Sequence, residues 1–200
     1  MNKGRLEAFS DGVFAIIITI MVLELHAPEG NSFEDLKPLL PKFISYLLSF
    51  VYVAIYWNNH HHMFQIVKHV NGKVLWRNIF LLFWLSLVPF VTAWMGENNF
   101  SSAPTALYGI ILAMAGVAYY FLIHSLIELH GKDSLIATSI GKDFKGKISV
   151  VIYLVGISIS FFNSWMSFGL YCCVAFLWII PDRRIEKRIV AEDKKGKAET

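Results

Sequence analysis

An aspartate inside the first apolar segment is the most chemically demanding residue of this sequence. Asp11 lies within RLEAFSDGVFAIIITIMVLEL, the segment that runs from Arg5 to Leu25. A carboxylate in the hydrocarbon of a membrane costs about 2.5–3.5 kcal/mol even on a lenient insertion scale, so it needs a hydrogen-bonding partner or an aqueous cavity. Arg5 is a poor partner along one helix, because six residues place the two side chains about 240° apart. The partner is therefore expected on another helix.

Polar residues cluster where such a partner is needed. The second apolar segment ends in the letters WNNHHH (57–62), and the third begins with WRN (76–78). We expect hydrogen bonds from this cluster to hold Ser10 and Asp11. The predicted partners are His60, His61, His62, Arg77 and Asn78.

The triple histidine also suggests a metal site or haem ligation. Neighbouring side chains on a helix point about 100° apart, so only one or two of the three could reach a common ion. Haem would need histidines on facing helices, and His124 has no paired pattern with the triplet. Hydrogen bonding is the favoured interpretation, and no metal or cofactor is predicted.

The first segment also carries an apolar line of large side chains. Ile16, Ile20 and Leu23 stand at i, i+4 and i+7, with Gly12 a turn earlier and Thr19 beside them. On an arbitrary membrane helix this face would contact lipid or another helix. Around a symmetry axis, however, rings of isoleucine and leucine form a narrow constriction that gates by dewetting, and threonine adds oxygen ligands. The pattern alone leaves both interpretations open.

The elements that position these residues are predicted to be transmembrane helices. The chain is 56% hydrophobic and 16% charged, well below the roughly 25% charged residues of soluble domains. Its long apolar runs match the roughly 30 Å hydrocarbon core of a bilayer. We predict an all-α membrane domain at residues 1–182 and a charged cytoplasmic tail at 183–200. Its six spans are Phe9–Leu25, Phe43–Asn59, Leu75–Met95, Ala106–Ile127, Ile148–Phe162 and Trp165–Ile180, with a kink expected at Pro89.

The basic residues indicate the orientation of these spans. Under strict alternation, 16 of the 18 lysines and arginines fall on one side, and only Lys37 and Lys42 fall on the other. This asymmetry predicts that both termini are cytoplasmic. The net charge of +3 is then a feature of topology, not a sign of nucleic-acid binding, and a multi-pass protein of the cell (plasma) membrane is expected.

Several functional classes lack their motifs. The sequence contains no TVGYG filter, no P-loop, no arginine-rich voltage-sensor ladder and no Ser/His/Asp constellation. An enzyme is therefore not expected. Three classes stay open: a cation channel, a proton-coupled transporter or proton pathway that uses Asp11 and His60–His62, and a non-conducting membrane scaffold.

One motif adds a family resemblance. Arg5-x-x-x-Phe9-Ser10-Asp11 resembles the RxxxFSD signature of the TMEM175 family of lysosomal and prokaryotic potassium channels. The six-span plan and the 57–62 segment also resemble that family, and the single copy of the motif is typical of its prokaryotic form.

The resemblance implies a homotetramer in the lipid bilayer, with the first helix of each subunit lining a central pore. It places the constriction at Ile16, further pore layers at Ile20 and Leu23, and a pore threonine at Thr19. It also implies that the motif organises a hydrogen-bonding network behind the pore. The expected activity is K⁺-preferring conduction of monovalent cations, with permeant K⁺ and no cofactor.

Overall fold

The computed structural model describes residues 2–140 and 144–179, apart from the side chains of residues 139 and 140. The described residues form helices and no strands. A 3-10 helix, Phe33–Leu39, precedes α2. The α-helices are α1 (Lys3–Leu23), α2 (Leu40–Gln65), α3 (Gly72–Ser86), α4 (Val88–Glu97), α5 (Ser102–His130), α6 (Leu135–Ile140), α7 (Phe144–Ile159) and α8 (Ser164–Ile179).

Within the described ranges, four helical segments are long and apolar enough to cross a membrane. They are Lys3–Leu23, Phe33–Gln65, Gly72–Glu97 and Ser102–His130. The prediction of an all-α chain with membrane-capable helices is therefore confirmed. The helices α7 and α8 have 16 residues each, or about 24 Å at 1.5 Å per residue, so the count of six spans stays a prediction. The predicted span end at Ile180 and the tail at 183–200 lie outside the described residues.

The third span is interrupted where proline predicts an interruption. The helix α3 ends at Ser86, and α4 begins at Val88 with Pro89 in its first turn. The N–H groups in the first turn of a helix have no intrahelical acceptor. Proline, which lacks the N–H, therefore loses no hydrogen bond at this position. Leu87 joins the two helices, and its N–H bonds to the Trp84 carbonyl at 3.3 Å.

Tyrosine hydroxyls tie the helices of the core together. The Tyr52 hydroxyl donates to the Tyr171 carbonyl at 2.7 Å and accepts from the Tyr153 hydroxyl at 3.3 Å. The Tyr171 hydroxyl in turn donates to the Thr105 carbonyl at 3.3 Å. Such bonds hold helices together in a membrane, where burial of apolar surface gives little driving force for association. They link α2, α5, α7 and α8.

A glycine on α7 gives the Tyr171 ring the space that it occupies. A Cβ at Gly156 would lie 2.6 Å from Cε1 of Tyr171, so Gly156→Ala is expected to lower stability by about 1–3 kcal/mol through overpacking. The measurement is the midpoint of thermal unfolding in detergent micelles. Gly169→Ala is the matched control, because a Cβ at Gly169 meets nothing within 4 Å. Equal midpoints for the two variants would contradict the prediction.

Candidate functional site: the two faces of α1

The helix α1 packs against α2, α3 and α4 through one face. Its buried residues recur every three or four positions, which is the periodicity of a single helix stripe. They are Leu6, Ser10, Phe14, Ile17 and Met21. Fixing this face against three helices leaves the other face of α1 without cover in the single chain.

The uncovered face carries a continuous row of side chains, here called the exposed stripe. It consists of Arg5, Phe9, Gly12, Ile16, Thr19 and Leu23, all exposed. Successive members are three or four residues apart, so at 100° per residue they stay on one line.

Large apolar side chains are accessible on this face. Ile16 is 58% exposed and Leu23 is 74% exposed. Ile20, which is 42% exposed, lies beside the stripe, about 40° from Ile16 around the helix axis. The three predicted constriction residues therefore share one side of α1, and only Ile20 is off the line.

Thr19 presents its oxygen from the exposed stripe. Its hydroxyl donates to the Ile16 carbonyl at 2.9 Å, so the hydroxyl proton is used within the helix. The lone pairs of the oxygen are then left to accept hydrogen bonds or to coordinate a cation. Beyond Arg5 at its N-terminal end, the stripe offers bulky apolar side chains interrupted by one oxygen ligand.

On the buried face, three polar side chains join three helices. The Asn78 amide donates from Nδ2 to Ser10 Oγ at 2.9 Å, and its Oδ1 lies 2.8 Å from His60 Nε2. Because the Asn78 nitrogen donates to Ser10, its oxygen must accept, and Nε2 of His60 carries the proton. The Ser10 hydroxyl donates to the Leu6 carbonyl at 2.9 Å. All three side chains are buried, so this Ser10–Asn78–His60 network fixes α1 to α2 and α3.

Asp11 has a different partner from those predicted. The indole Nε1 of Trp57 donates to its Oδ1 at 3.0 Å, whereas the expectation was a bond from the His60–His62, Arg77 or Asn78 side chains. The physical reason is the turn of the helix: adjacent residues point about 100° apart, so Ser10 and Asp11 cannot face one partner. Trp57 belongs to the WNNHHH segment, and an indole N–H is a donor on an otherwise apolar side chain.

The other predicted partners lie outside the Ser10–Asn78–His60 network. His61 stacks on Trp57 with a centroid distance of 5.7 Å and bonds to Gln65 at 2.9 Å. The guanidinium of Arg77 lies 4.7 Å from the centre of the Phe121 ring, a cation–π contact. His62 lies beside the ring of His61, 5.9 Å between centroids.

The RxxxFSD motif is thus divided between the two faces of α1. Ser10 and Asp11 bond to neighbouring helices, while Arg5 and Phe9 belong to the exposed stripe. Within residues 2–140 and 144–179, no ion pair to Arg5 is formed. In the same ranges, no three His, Cys, Asp or Glu side chains come together as a metal site.

Comparison with known proteins places this arrangement in a family. The family model described as "Endosomal/lysosomal potassium channel TMEM175" matches residues 5–89, which span α1 to the start of α4. A potassium channel of Chryseobacterium sp. (strain P1-3) is 54% identical over 189 residues, which cover 94% of this chain and 98% of that channel. The endosomal/lysosomal proton channel TMEM175 of Danio rerio is 29% identical over 135 residues, 65% of this chain but only 25% of the fish protein.

The fold has a counterpart among solved structures. The crystal structure of a lysosomal potassium-selective channel TMEM175 homolog from Chamaesiphon minutus superposes with a TM-score of 0.77. The two sequences are 29% identical, and the match covers 90% of this chain and 97% of the homolog. A relative with 54% identity across nearly its entire length, together with the matched motif on α1, shows that this chain belongs to the TMEM175 family of ion channels.

Proposed function

We propose that this protein is a K⁺-preferring cation channel in which the α1 helices of several subunits surround a central pore. The observation that carries the proposal is the exposed stripe of α1, which is continuous and mainly apolar from Phe9 to Leu23, while the opposite face is fixed by packing and polar bonds. The relatives from Chryseobacterium and Chamaesiphon are named as potassium channels. A stripe of this kind around a symmetry axis has the chemistry of a hydrophobic gate.

Ile16 is assigned as the principal constriction, with Ile20 and Leu23 forming further hydrophobic rings. Isoleucine offers no oxygen to replace the water lost by a cation, so a dry constriction is a barrier to ions. Conduction then requires a wider ring or a partial water shell that passes with the ion. Thr19 lies between these rings, and its oxygen is the cation ligand nearest to the constriction.

The assembly that fits this role is a homotetramer in a prokaryotic cell membrane, with six spans and cytoplasmic termini. Each subunit contributes α1 to the pore. The Ser10–Asn78–His60 network holds α1 at a fixed rotation relative to α2 and α3, so that Ile16 points to the axis. Arg5 and Phe9, on the exposed stripe, then lie at the end of the pore where they meet the neighbouring subunits.

A flux assay on purified protein in liposomes tests the activity. Vesicles loaded with K⁺ are diluted into K⁺-free buffer, and K⁺ release is compared with Na⁺ release under the mirrored gradient. We expect K⁺ to be released faster than Na⁺, and neither ion to be released from protein-free vesicles. Vesicles that contain the assembled protein and release neither ion would support a non-conducting scaffold instead.

The Asp11–Trp57 bond gives a prediction about assembly. Asp11→Ala removes the acceptor and Trp57→Phe removes only the donor, so each is expected to lower the fraction of assembled oligomer to a similar extent. The double variant should then lose no more than either single variant, because both changes delete the same bond. Size-exclusion chromatography with light scattering gives the assembled fraction. Losses that add in the double variant would show that the two side chains act separately.

A second candidate function is a proton pathway through Asp11 and the His60–His62 segment. The observation in its favour is that the Danio rerio relative is named a proton channel. Intramembrane carboxylates and histidines can relay protons. A pH-sensitive dye inside K⁺-free vesicles tests the proton pathway, which is favoured by proton entry that is lost in Asp11→Asn. In K⁺-loaded vesicles, K⁺ release that is independent of a proton gradient favours the cation channel.

A further inference from the structure

A cavity of about 500 Å³ lies between α2, α5 and α7, with Trp178 of α8 completing its wall, and no residue of α1 lines it. Its volume falls within the range of pockets that hold small organic molecules, about 300–1,000 Å³. The walls are mainly aromatic and aliphatic, and they include Tyr52, Val117, Tyr153 and Trp178. Two of the surrounding helices, α2 and α5, are long and apolar enough to cross a membrane. The cavity is therefore an apolar chamber at membrane depth.

One polar group inside this chamber lacks a partner. Tyr56 lines the cavity and is only 9% exposed, yet among the described residues its hydroxyl has no hydrogen bond. The neighbouring hydroxyls of Tyr52 and Tyr153 are bonded to each other at 3.3 Å. This hydroxyl faces the cavity, where a hydrogen bond gains more than it does in water because the surroundings are apolar. The Tyr56 hydroxyl is therefore free to donate to an acceptor on a molecule that occupies the cavity.

A glycine keeps the space in front of this hydroxyl open. Gly116 on α5 lines the cavity, and a Cβ built there has the Tyr56 hydroxyl, at 3.8 Å, as its nearest neighbour. That distance is ordinary van der Waals contact, so a methyl group would fit without a clash. A larger side chain at this position would extend into the cavity.

The rim of the cavity is basic. Lys147, at the start of α7, lines the cavity and is exposed, and within the described residues it forms no ion pair. Lys145, two residues earlier, lies over Trp178, another residue of the cavity wall, with its ammonium 6.0 Å from the ring centre. A long apolar chamber with a hydroxyl inside and a cationic rim complements a hydrocarbon chain attached to an anionic headgroup.

We propose that this cavity binds one acyl chain of an anionic phospholipid from the surrounding bilayer. The chain fills the apolar space between α2, α5 and α7. The Tyr56 hydroxyl donates to an ester carbonyl of the lipid, and the phosphate pairs with Lys147. The helix α2 then contacts a lipid through Tyr56 on one side and α1 through Trp57 and His60 on another.

Photo-crosslinking tests the chain site directly. The full-length protein is reconstituted in phosphatidylcholine vesicles that contain phosphatidylglycerol with a diazirine in its acyl chain, and the labelled peptides are identified by mass spectrometry. Labels are expected on the peptides that carry Tyr56 and Gly116. In Gly116→Leu these labels should fall by about tenfold or more, since excluding even two methylene groups costs that much in affinity. Gly169→Leu, on the open surface of α8, is the matched control and should keep them.

The headgroup is tested separately with diazirine probes of both lipids. Wild-type protein is expected to favour phosphatidylglycerol over phosphatidylcholine, and Lys147→Gln should abolish that preference while the chain still labels the cavity. Competition on wild-type protein needs no variant: unlabelled phosphatidylglycerol should suppress cavity labelling more than phosphatidylcholine does. Equal labelling by the two lipids, labels confined to other surfaces, or unchanged labelling in Gly116→Leu would each overturn the proposal. None of these readouts depends on ion flux.

Discussion

Ile16→Asn is expected to raise K⁺ conductance about tenfold or more and to reduce the preference for K⁺ over Na⁺. In the proposed pore, the barrier at Ile16 arises because isoleucine cannot replace hydrogen bonds of the water around a cation. An asparagine amide can hydrogen-bond to that water and so lowers the free-energy barrier to the ion. Lowering this barrier by about 1.4 kcal/mol speeds passage tenfold. A ring that retains water around the ion also discriminates poorly between ions of similar charge.

Single-channel recording in planar bilayers gives the conductance, and the reversal potential with K⁺ and Na⁺ on opposite sides gives the selectivity. Val22→Asn is the matched control: Val22 is also exposed and apolar on α1, but it lies about 120° from Ile16 around the helix. It should leave both quantities near their wild-type values. Equal effects of the two substitutions would mean that Ile16 faces lipid and not a conduction path.

The polar contacts of α1 show what the sequence could and could not predict. Ser10, His60 and Asn78 were predictable as a group, because polar side chains in apolar helices at matching depth must satisfy one another. The bond from Trp57 to Asp11 was not predicted. Tryptophan at a span end is expected to anchor the interface through its indole, and composition does not distinguish that role from donation to a neighbouring helix. Only the rotation of α1 relative to α2 decides between them.

Features of the helices also differ in whether the sequence predicts them. The interruption near Pro89 follows from the chemistry of one residue, so it was predictable. The cavity between α2, α5 and α7 was not, because it depends on how Gly116 and Tyr56, on different helices, meet. The exposed stripe is an intermediate case. Its periodicity is visible in the sequence, but lipid-facing residues have the same periodicity. The structure shows which side of α1 is uncovered, and that this side lines a pore is a proposal.

Asn78→Leu is expected to destabilise the protein by about 1–3 kcal/mol and to lower the assembled fraction. Leucine has nearly the shape of asparagine but no polar atoms, so His60 Nε2 loses its acceptor and becomes a buried donor without a partner, and Ser10 loses the bond from α3. The midpoint of thermal unfolding in detergent measures the first effect, and light scattering measures the second. Asn98→Leu, at the exposed C-cap of α4, removes only a solvent-exposed bond to the Trp94 carbonyl, so both effects should be much smaller.

The network also predicts partial recovery in a double variant. Replacing both members of a buried pair by apolar groups removes the unsatisfied donor, so His60→Leu combined with Asn78→Leu should cost less than the sum of the two single changes. The recovered fraction of stability isolates the hydrogen bond from the packing of α2 on α3. Ser10 is the polar link from α1 to this pair, and Phe14 of α1 contacts the His60 ring, so ion selectivity should recover together with stability if the network sets the rotation of α1. Stability that recovers while selectivity stays lost would instead show that the Asn78–Ser10 bond alone orients the pore face.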